Sequence, residues 1–526
     1  IILPLAIASA MIAGLLIGWF LPGKAIVNNV PGYTHATDKI GTVMSIIESK
    51  YVDTVNRVQL EESAIPAILK KLDPHSVYIP ARDLARANEP LQGNFEGIGI
   101  SFNMITDTIL VISTIPNGPS EKAGLLAGDK IIYVNDSLVA GKNIPDDNIV
   151  KMLKGPRGTT VSVRVLRKGL DNLLPFDIVR DKIPIYTVEA AYMIDETIGF
   201  IKIASFAVTT FEEFRVGLAR LKSDGMKKLI IDLRGNSGGI MDAATQIADQ
   251  FLNEGEMIVY TEGRMYPREE IRATSNGDFR DGDLVILIDE GSASASEILA
   301  GAVQDNDRGT IMGRRSFGKG LVQEPIMFRD GSGLRLTIAR YYTPTGRSIQ
   351  KPYTNGYDDY YNDLNDRFVR GEFEVADSIH LPDSLKFTTP GGRTVFGGGG
   401  IMPDIFIPID TTGISDYFVR VRNTGLIYRY ALRYTEDNRE KLTSFRDLTE
   451  LERYLDSQSL LEKFVAYAES NGINRSKTGL DISGGIILIQ VKAYIARNIF
   501  DNQGFYPIWQ ELDTSLKLAI EFLGKK

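Results

Sequence analysis

The alternation of hydrophobic and polar positions changes character several times along the chain. Residues 1–23 hold no charged side chain, and the first charge is Lys24. The run IILPLAIASAMIAGLLIGWFLP is about 20 residues long, which at ~1.5 Å per residue spans a ~30 Å hydrocarbon core. Trp19, near its end, suits the membrane interface. A buried core helix would rarely be apolar on every face, and Ala8-Ser9-Ala10 is badly placed as a cleavage cue. The run therefore reads as an uncleaved transmembrane anchor, and no later stretch reads as long and apolar enough to return through the bilayer.

Helical spacing follows over 38–72, at Ile40, Val43, Met44 and Ile47, then at Ile65, Ile68, Leu69 and Leu72, and Pro74 stops it. From about 93 the texture turns to short β-runs with glycine turns: GIGISF, TILVISTI, DKIIYVN and TVSVRVLR. Beyond Arg180 strands alternate with amphipathic helices. GFIKI precedes TFEEFRVGLARLKS, KLIIDLRG precedes IMDAATQIADQFL, and DLVILID precedes a helix around 294–304. That alternation predicts an α/β layer structure whose loops at strand ends form a site. Residues 353–397 are rich in Asp, Tyr and Gly and read as an insertion, and 416–523 carry helical pattern. The predicted domains are thus an anchor at 1–23, a helical region at 24–92, a β-rich domain at 93–180, an α/β core at 181–410 interrupted by 353–397, and a helical domain at 411–526.

Composition narrows the chemistry. With 526 residues, 43% of them hydrophobic, the chain can build full cores without disulfide or metal staples. Its formal charge of −8 makes general nucleic-acid binding a poor reading. The absence of cysteine removes a thiol nucleophile, a thiolate metal site and any disulfide. Three histidines, His35, His75 and His380, lie in separate segments and none sits at a strand end of the α/β block. No cofactor or metal is called for.

Glycine-rich loops mark the candidate chemistry: Gly97-Ile98-Gly99-Ile100, Asp232 to Gly239, and Gly313 to Gly320. The third approaches a nucleotide-binding P-loop, but Gly320 stands where a magnesium-ligating hydroxyl is needed and a strand-like LVQEPIMF follows. The run Gly291-Ser292-Ala293-Ser294-Ala295-Ser296-Glu297 follows an apolar strand. Ser294 and Glu297 fit a capping box, yet the same turn would expose a hydroxyl and free N–H groups. Without a histidine nearby, Lys319 is the best placed base. It must lose its charge through desolvation, and its neighbours Phe317, Gly318, Gly320, Leu321 and Val322 include no acid. From composition alone, a capping serine and an exposed turn lysine remain the plainer readings.

Several motifs resemble one family. GSASASEILAGAVQD, GRRSFGKGLVQ and LRLTIARYYTPTGRSIQ, together with LDPHSVYI at 72–79, DLRGNSGG at 232–239 and GGIMPDIFIP at 399–408, are similar to the carboxyl-terminal processing proteases, the tail-specific serine peptidases of family S41. The 97–139 segment resembles the PDZ domain that these enzymes carry. The resemblance implies a crotonase/Clp-like α/β protease core with an inserted PDZ domain. It implies Ser294 as nucleophile, Lys319 as general base and Gln323 as the residue that positions the amine. Ala295, with Gly238 or Gly239, would supply oxyanion N–H groups. Gly97, Ile98, Gly99 and Ile100 would bind the carboxylate and apolar last side chain of a protein C-terminus. The expected activity is endopeptidase cleavage through an acyl-enzyme; the alternative is a peptide-binding scaffold with a silent core. Anchor and resemblance together imply a bacterial inner membrane protein whose soluble part lies in the periplasm. Arg157, in a turn of the PDZ-like block, reads first as an exposed arginine. The C-terminal helices leave open pairing into a homo-oligomer or recruitment of an adaptor.

Overall fold

The computed structural model describes residues 38–525 except 106, 355 and 380. The apolar run 1–23, His35 and His380 lie outside the described residues. The chain divides into two compact units, 1–68 and 69–526. In the first, the helix Lys39–Lys50 begins on Asp38, whose carboxylate accepts from the Gly41 N–H at 2.9 Å, a favourable N-cap. The predicted periodicity is split by a break before the next helix, Arg57–Leu69. Met44 and Leu69 are buried, but Ile40, Val43 and Ile68 stay exposed.

The second unit is built around a six-stranded sheet. Its strands are β1 (Val188–Met193), β2 (Ile198–Ile203), β3 (Lys228–Asp232), β4 (Asp283–Ile288), β5 (Thr310–Gly313) and β6 (Ile405–Phe406), adjacent in that order. β1 and β2 run antiparallel; every later pair is parallel. Side chains alternate between faces with period two, and both faces are covered, which explains the nearly continuous apolar runs. Ile201, Ile231 and Ile286 pack with Phe214, Ile247 and Leu299 from the helices α1 (Thr210–Ser223), α2 (Met241–Asp249) and α3 (Ala295–Asp305). Phe200, Ile230 and Val285 face the other way, against Leu516, Ala519 and Leu523 of the last helix, Thr514–Gly524. The end of the helical C-terminal region is thus part of the core.

A second sheet joins Leu321–Met327 to Gly333–Tyr342, which also pairs with Val77–Ile79 and Met257–Glu262. The β-rich domain has its own core of Ile109, Val111, Ile131, Val161 and Val163. It is bracketed by the antiparallel pair Asn94–Gly97 and Asp181–Pro184. The insertion contributes the helix Tyr357–Val369 and the hairpin Lys386–Thr388/Thr394–Phe396. One expectation needs correction. The helical segment Lys477–Leu512 is long and apolar enough to cross a membrane by length and composition, although more than half of its most apolar window is buried. It is broken at Phe500 and Asp501 by non-helical backbone. Its Ile487, Val491 and Ile495 pack against Leu426, Tyr430 and Phe464, as a core helix does.

The helix that follows Ser294 is fastened at its far end. Arg347 and Asp305 are wholly buried and pair at 2.6 Å. The guanidinium also donates to Gln304 Oε1 at 2.7 Å and to the Phe396 carbonyl at 2.6 Å. Replacing Arg347 by Met leaves Asp305 buried without its counter-charge. The expected loss is roughly 3–5 kcal/mol of unfolding free energy, read by chemical denaturation; a loss below about 1 kcal/mol would mean that the pair does not hold the helix.

Candidate active site

The turn after β4 is fixed by short-range polar contacts. Asp289 Oδ1 accepts from the N–H groups of Gly291 at 3.0 Å and Gly235 at 2.8 Å. Ser292 Oγ donates to the Leu233 carbonyl at 2.8 Å. The turn forces Ser294 to φ 55°, a conformation unusual for a residue with a Cβ and often found at functional sites. α3 starts immediately afterwards. Its first turn supplies the predicted cap in one direction: the Ser294 N–H donates to Glu297 Oε2 at 2.8 Å. The Ser294 hydroxyl donates no hydrogen bond to any described residue, so its proton is uncommitted.

The loop carrying Lys319 is tied to the same carboxylate. Glu297 accepts from Ser316 Oγ at 2.5 Å and Gly318 N–H at 2.7 Å on Oε1, and from Lys319 N–H at 2.9 Å on Oε2. Ser316 Oγ in turn accepts from the Ile401 N–H at 2.6 Å, so its proton is committed to Glu297. Burial pushes the Glu297 carboxyl up to about 7, against the four donors that favour its charge. All four bonds survive only on the ionised form, because each needs an acceptor lone pair. A second clamp comes from Tyr341. Its buried hydroxyl shares its single proton between the carbonyls of Lys319 at 2.5 Å and Ser294 at 3.0 Å.

Lys319 Nζ donates to Gln323 Oε1 at 3.3 Å and forms no ion pair with a described residue. Burial lowers its pKa below the ordinary lysine value; Glu297 and Asp73 oppose that, and Arg335 adds to it. The amine is not hydrogen-bonded to Ser294. Gln323 sits at an irregularity in the pairing of Leu321–Met327 with Gly333–Tyr342, a device that re-aims a side chain. Its amide donates to the His75 carbonyl. The LDPHS turn around that carbonyl is held by Asp73, which accepts from the N–H groups of His75 and Ser76, both at 2.7 Å. Burial, then the positive charge of Lys319, lowers the His75 pKa to about 4, with Asp73 opposing and Lys351 reinforcing. The ring is neutral and its Nε2 lies 2.7 Å from the Tyr360 hydroxyl.

Tyr360 belongs to the insertion, which therefore reaches the site. Arg367, on the same helix and 1% exposed, donates to the carbonyls of Arg315 at 2.6 Å and Ser316 at 3.0 Å. Lys351 Nζ reaches the Tyr360 carbonyl and Asp363, each at 3.0 Å.

The two glycines proposed for the oxyanion can now be told apart by their hydrogen bonds. The Gly238 N–H is taken by Asn236 Oδ1 at 2.9 Å. The N–H groups of Gly239 and Ala295 have no acceptor among the described residues. Gly238 instead keeps the loops close: a Cβ there would stand 2.7 Å from the Ser294 Cβ and 3.0 Å from the Ala295 nitrogen. In the β-rich domain Ile98, Gly99 and Ile100 line an apolar cavity of about 110 Å³ with Phe95, Phe102, Val150, Leu153 and Lys154. Gly97 is not in that lining; it pairs with Asp181 in the bracketing strands. Arg157 is exposed and paired with Asp181 at 2.6 Å.

Sequence reasoning recognised Glu297 as a cap without seeing that it also binds the lysine loop, and it missed Tyr341, the His75 carbonyl, Tyr360 and Arg367. The signal for Glu297, Tyr341 and His75 was their place inside the quoted motifs. For the insertion there was none, since its Asp-, Tyr- and Gly-rich composition read only as an insertion.

Comparisons with known proteins agree in several parts of the chain. The model of peptidase family S41 matches residues 197–356. A PDZ domain matches 97–176. The N-terminal domain of the activating protease CtpB matches 25–82, and a family of unknown function matches 417–501. A carboxy-terminal-processing protease of Bartonella bacilliformis is 37% identical over 345 residues, covering 63% of this chain and 78% of that protein. The carboxy-terminal processing protease CtpB of Bacillus subtilis is 34% identical over 319 residues, 60% of this chain and 66% of its own. Among solved structures, a photosystem II D1 C-terminal processing protease is 29% identical, with 59% of this chain and 83% of that one covered and a TM-score of 0.34.

The shared carboxylate makes a direct prediction. Glu297→Gln replaces one acceptor oxygen by a donor and must drop at least one loop contact. Its kcat for casein hydrolysis should fall on the order of 10²-fold, the typical cost of misplacing reacting groups, with KM little changed. Retention of more than about a third of wild-type kcat, well inside the tenfold that 1.36 kcal/mol represents, in a variant of unchanged circular dichroism would remove Glu297 from the site.

Proposed function

The chain belongs to peptidase family S41, the carboxy-terminal processing proteases, and is a serine-type peptidase with a PDZ domain; within that family we propose that it cleaves protein substrates with a Ser294–Lys319 dyad after recognising their apolar C-termini. The observation that carries this reading is the double clamp. One carboxylate oxygen of Glu297 and one hydroxyl of Tyr341 each bind the backbones of both Ser294 and Lys319. A hydroxyl whose proton is uncommitted and a desolvated amine without an ion pair among the described residues thus share one small frame.

The steps follow from those groups. The neutral Lys319 amine, swung from Gln323 towards Ser294, accepts the hydroxyl proton as Oγ forms a bond to the substrate carbonyl carbon. The carbonyl oxygen becomes an oxyanion, for which the N–H groups of Gly239 and Ala295 are the available donors. Lys319 then protonates the departing amine as the peptide C–N bond breaks, leaving an ester on Ser294. Water adds to that ester and gives a proton to Lys319; the acid leaves as Oγ regains its proton. Gln323, held by the His75 carbonyl, keeps the amine oriented between these steps. His75 itself is a poor base, because its ring is occupied by Tyr360 and its pKa is depressed.

The cavity between Ile98, Gly99, Ile100 and Leu153 suits one apolar terminal side chain, a mode in which a PDZ domain adds the peptide as a strand. The proposed setting is the periplasmic side of the inner membrane, tethered through 1–23. For the C-terminal helices, a homo-oligomer contact and an adaptor contact are both retained.

Ser294→Ala and Lys319→Ala should each remove casein hydrolysis, by at least about 10³-fold, while Gln323→Ala keeps a residue of it. Near wild-type turnover by Lys319→Ala would overturn the dyad. The pH dependence has a definite sign. The lysine works unprotonated, and burial lowers its pKa below the ordinary value, so activity climbs as pH rises through that folded-state value. Glu297 works ionised, so activity also falls as pH drops through about 7. A rate profile that stays flat from about pH 5 to 9, across the span in which such groups change charge, would contradict both assignments.

A further inference from the structure

The apolar cavity of the PDZ domain has a cation at its wall, and that cation is already paired. Lys154 follows the helix Asp146–Leu153 and is the one charged residue in the lining. Its stem lies beside the glycine loop, since a Cβ built on Gly97 would stand 3.6 Å from Lys154 Cγ. Its ammonium sits 4.3 Å from the centre of the Phe95 ring and 2.6 Å from Glu89 Oε2. Glu89 comes from outside the PDZ domain, on the helix Ala81–Gln92. Both side chains are about a quarter exposed, at 29% and 22%. Two arginines at this end of the domain are committed elsewhere. Arg180 donates to the carbonyls of Met152 and Leu153, and Arg157 pairs with Asp181.

A protein tail offers two things in one residue, an apolar side chain and a carboxylate. The cavity fits the first. For the second, the ammonium of Lys154 is the charge in the cavity's own lining, and a partly exposed ion pair is cheap to open. Exchanging one carboxylate for another on the same ammonium conserves the number of charge-assisted hydrogen bonds. We propose that Lys154 receives the terminal carboxylate of the bound tail and that Glu89 is an internal competitor for it, displaced on binding. The affinity for a tail is then set by the difference between two carboxylates. The inference rests on the reading that the PDZ domain takes protein C-termini.

The experiment uses the whole chain carrying Ser294→Ala, which prevents turnover. A fluorescein-labelled decapeptide with an apolar last residue is titrated as the free acid and as the C-terminal amide, with fluorescence anisotropy as readout. Lys154→Met keeps the apolar stem and removes the charge. It should lower the acid-to-amide affinity ratio roughly fivefold, the size expected for a partly exposed pair. Glu89→Gln should raise affinity for the acid by a similar factor and leave the amide within about twofold, no more than 0.4 kcal/mol. Combined with Lys154→Met, it should give no gain. An unchanged ratio in Lys154→Met, or an equal gain for acid and amide in Glu89→Gln, overturns the exchange while tail recognition stands. If neither peptide binds either the parent or Glu89→Gln, tail recognition falls and takes the exchange with it.

Discussion

The candidate active site depends on one buried carboxylate. Glu297 is 1% exposed, and a lone charge there would cost several kcal/mol. It is tolerated because four donors converge on it, three of them backbone N–H groups whose positions define two loops. The dependence runs both ways. The loops need Glu297 because turns made of Gly, Ser and Ala have few side-chain contacts to fix them. Glu297 needs the loops because no other described group satisfies it. Removing either partner exposes the other's full desolvation cost, so the Ser294 turn and the Lys319 turn cannot drift independently.

Local sequence carried much of this architecture. The three strand–helix pairs read between 199 and 304 appear in the structure with ends within three residues, because buried parallel strands and amphipathic helices leave strong periodic signals; the strands Met257–Glu262 and Glu269–Arg272 between them left none that was read. The glycine punctuation likewise located the PDZ domain. What stayed hidden was long-range. The spacing of Ser294 and Glu297 announces a cap, and a cap is present, but a Glu at that position looks the same whether one loop or two end on it. Gly238 and Gly239 are equivalent as letters; only the side chain of Asn236 distinguishes them, by consuming one N–H. The exposed Ile40 and Val43 mark the opposite failure, an apolar stripe on a helix that has no described partner to cover it.

The insertion shows how composition can mislead in a polar segment. Its helix presents Asp358 and Asp359 outward, as the sequence suggests, but turns Tyr360 and Arg367 into the core. Arg367 satisfies two carbonyls of the loop that precedes Lys319, and Tyr360 occupies the ring of His75. A loop rich in glycine leaves carbonyls without secondary-structure partners, and buried carbonyls must be paired. A guanidinium from a neighbouring segment can serve two of them at once. The insertion is thereby an external substitute for regular structure, placed where the chain needs an irregular turn.

The arrangement around Lys319 resolves an electrostatic conflict. A base lysine needs a low pKa, yet Glu297 is the closest acid in its frame and pushes that pKa up. An ordinary carboxylate beside an ammonium would capture it as an ion pair and hold the proton. Glu297 does not, because each of its oxygens already accepts two hydrogen bonds, including one from the lysine's own backbone. Those dipoles partly offset the negative charge and fill the directions from which the amine could approach. The amine turns instead to Gln323, which accepts a hydrogen bond without supplying a full charge. One positive neighbour helps: Arg335 depresses the lysine further, while His75, kept neutral by burial, adds no charge. An acid is thus kept within the site as structure while being prevented from acting as a counter-ion, and that separation is what the proposed base role of Lys319 requires.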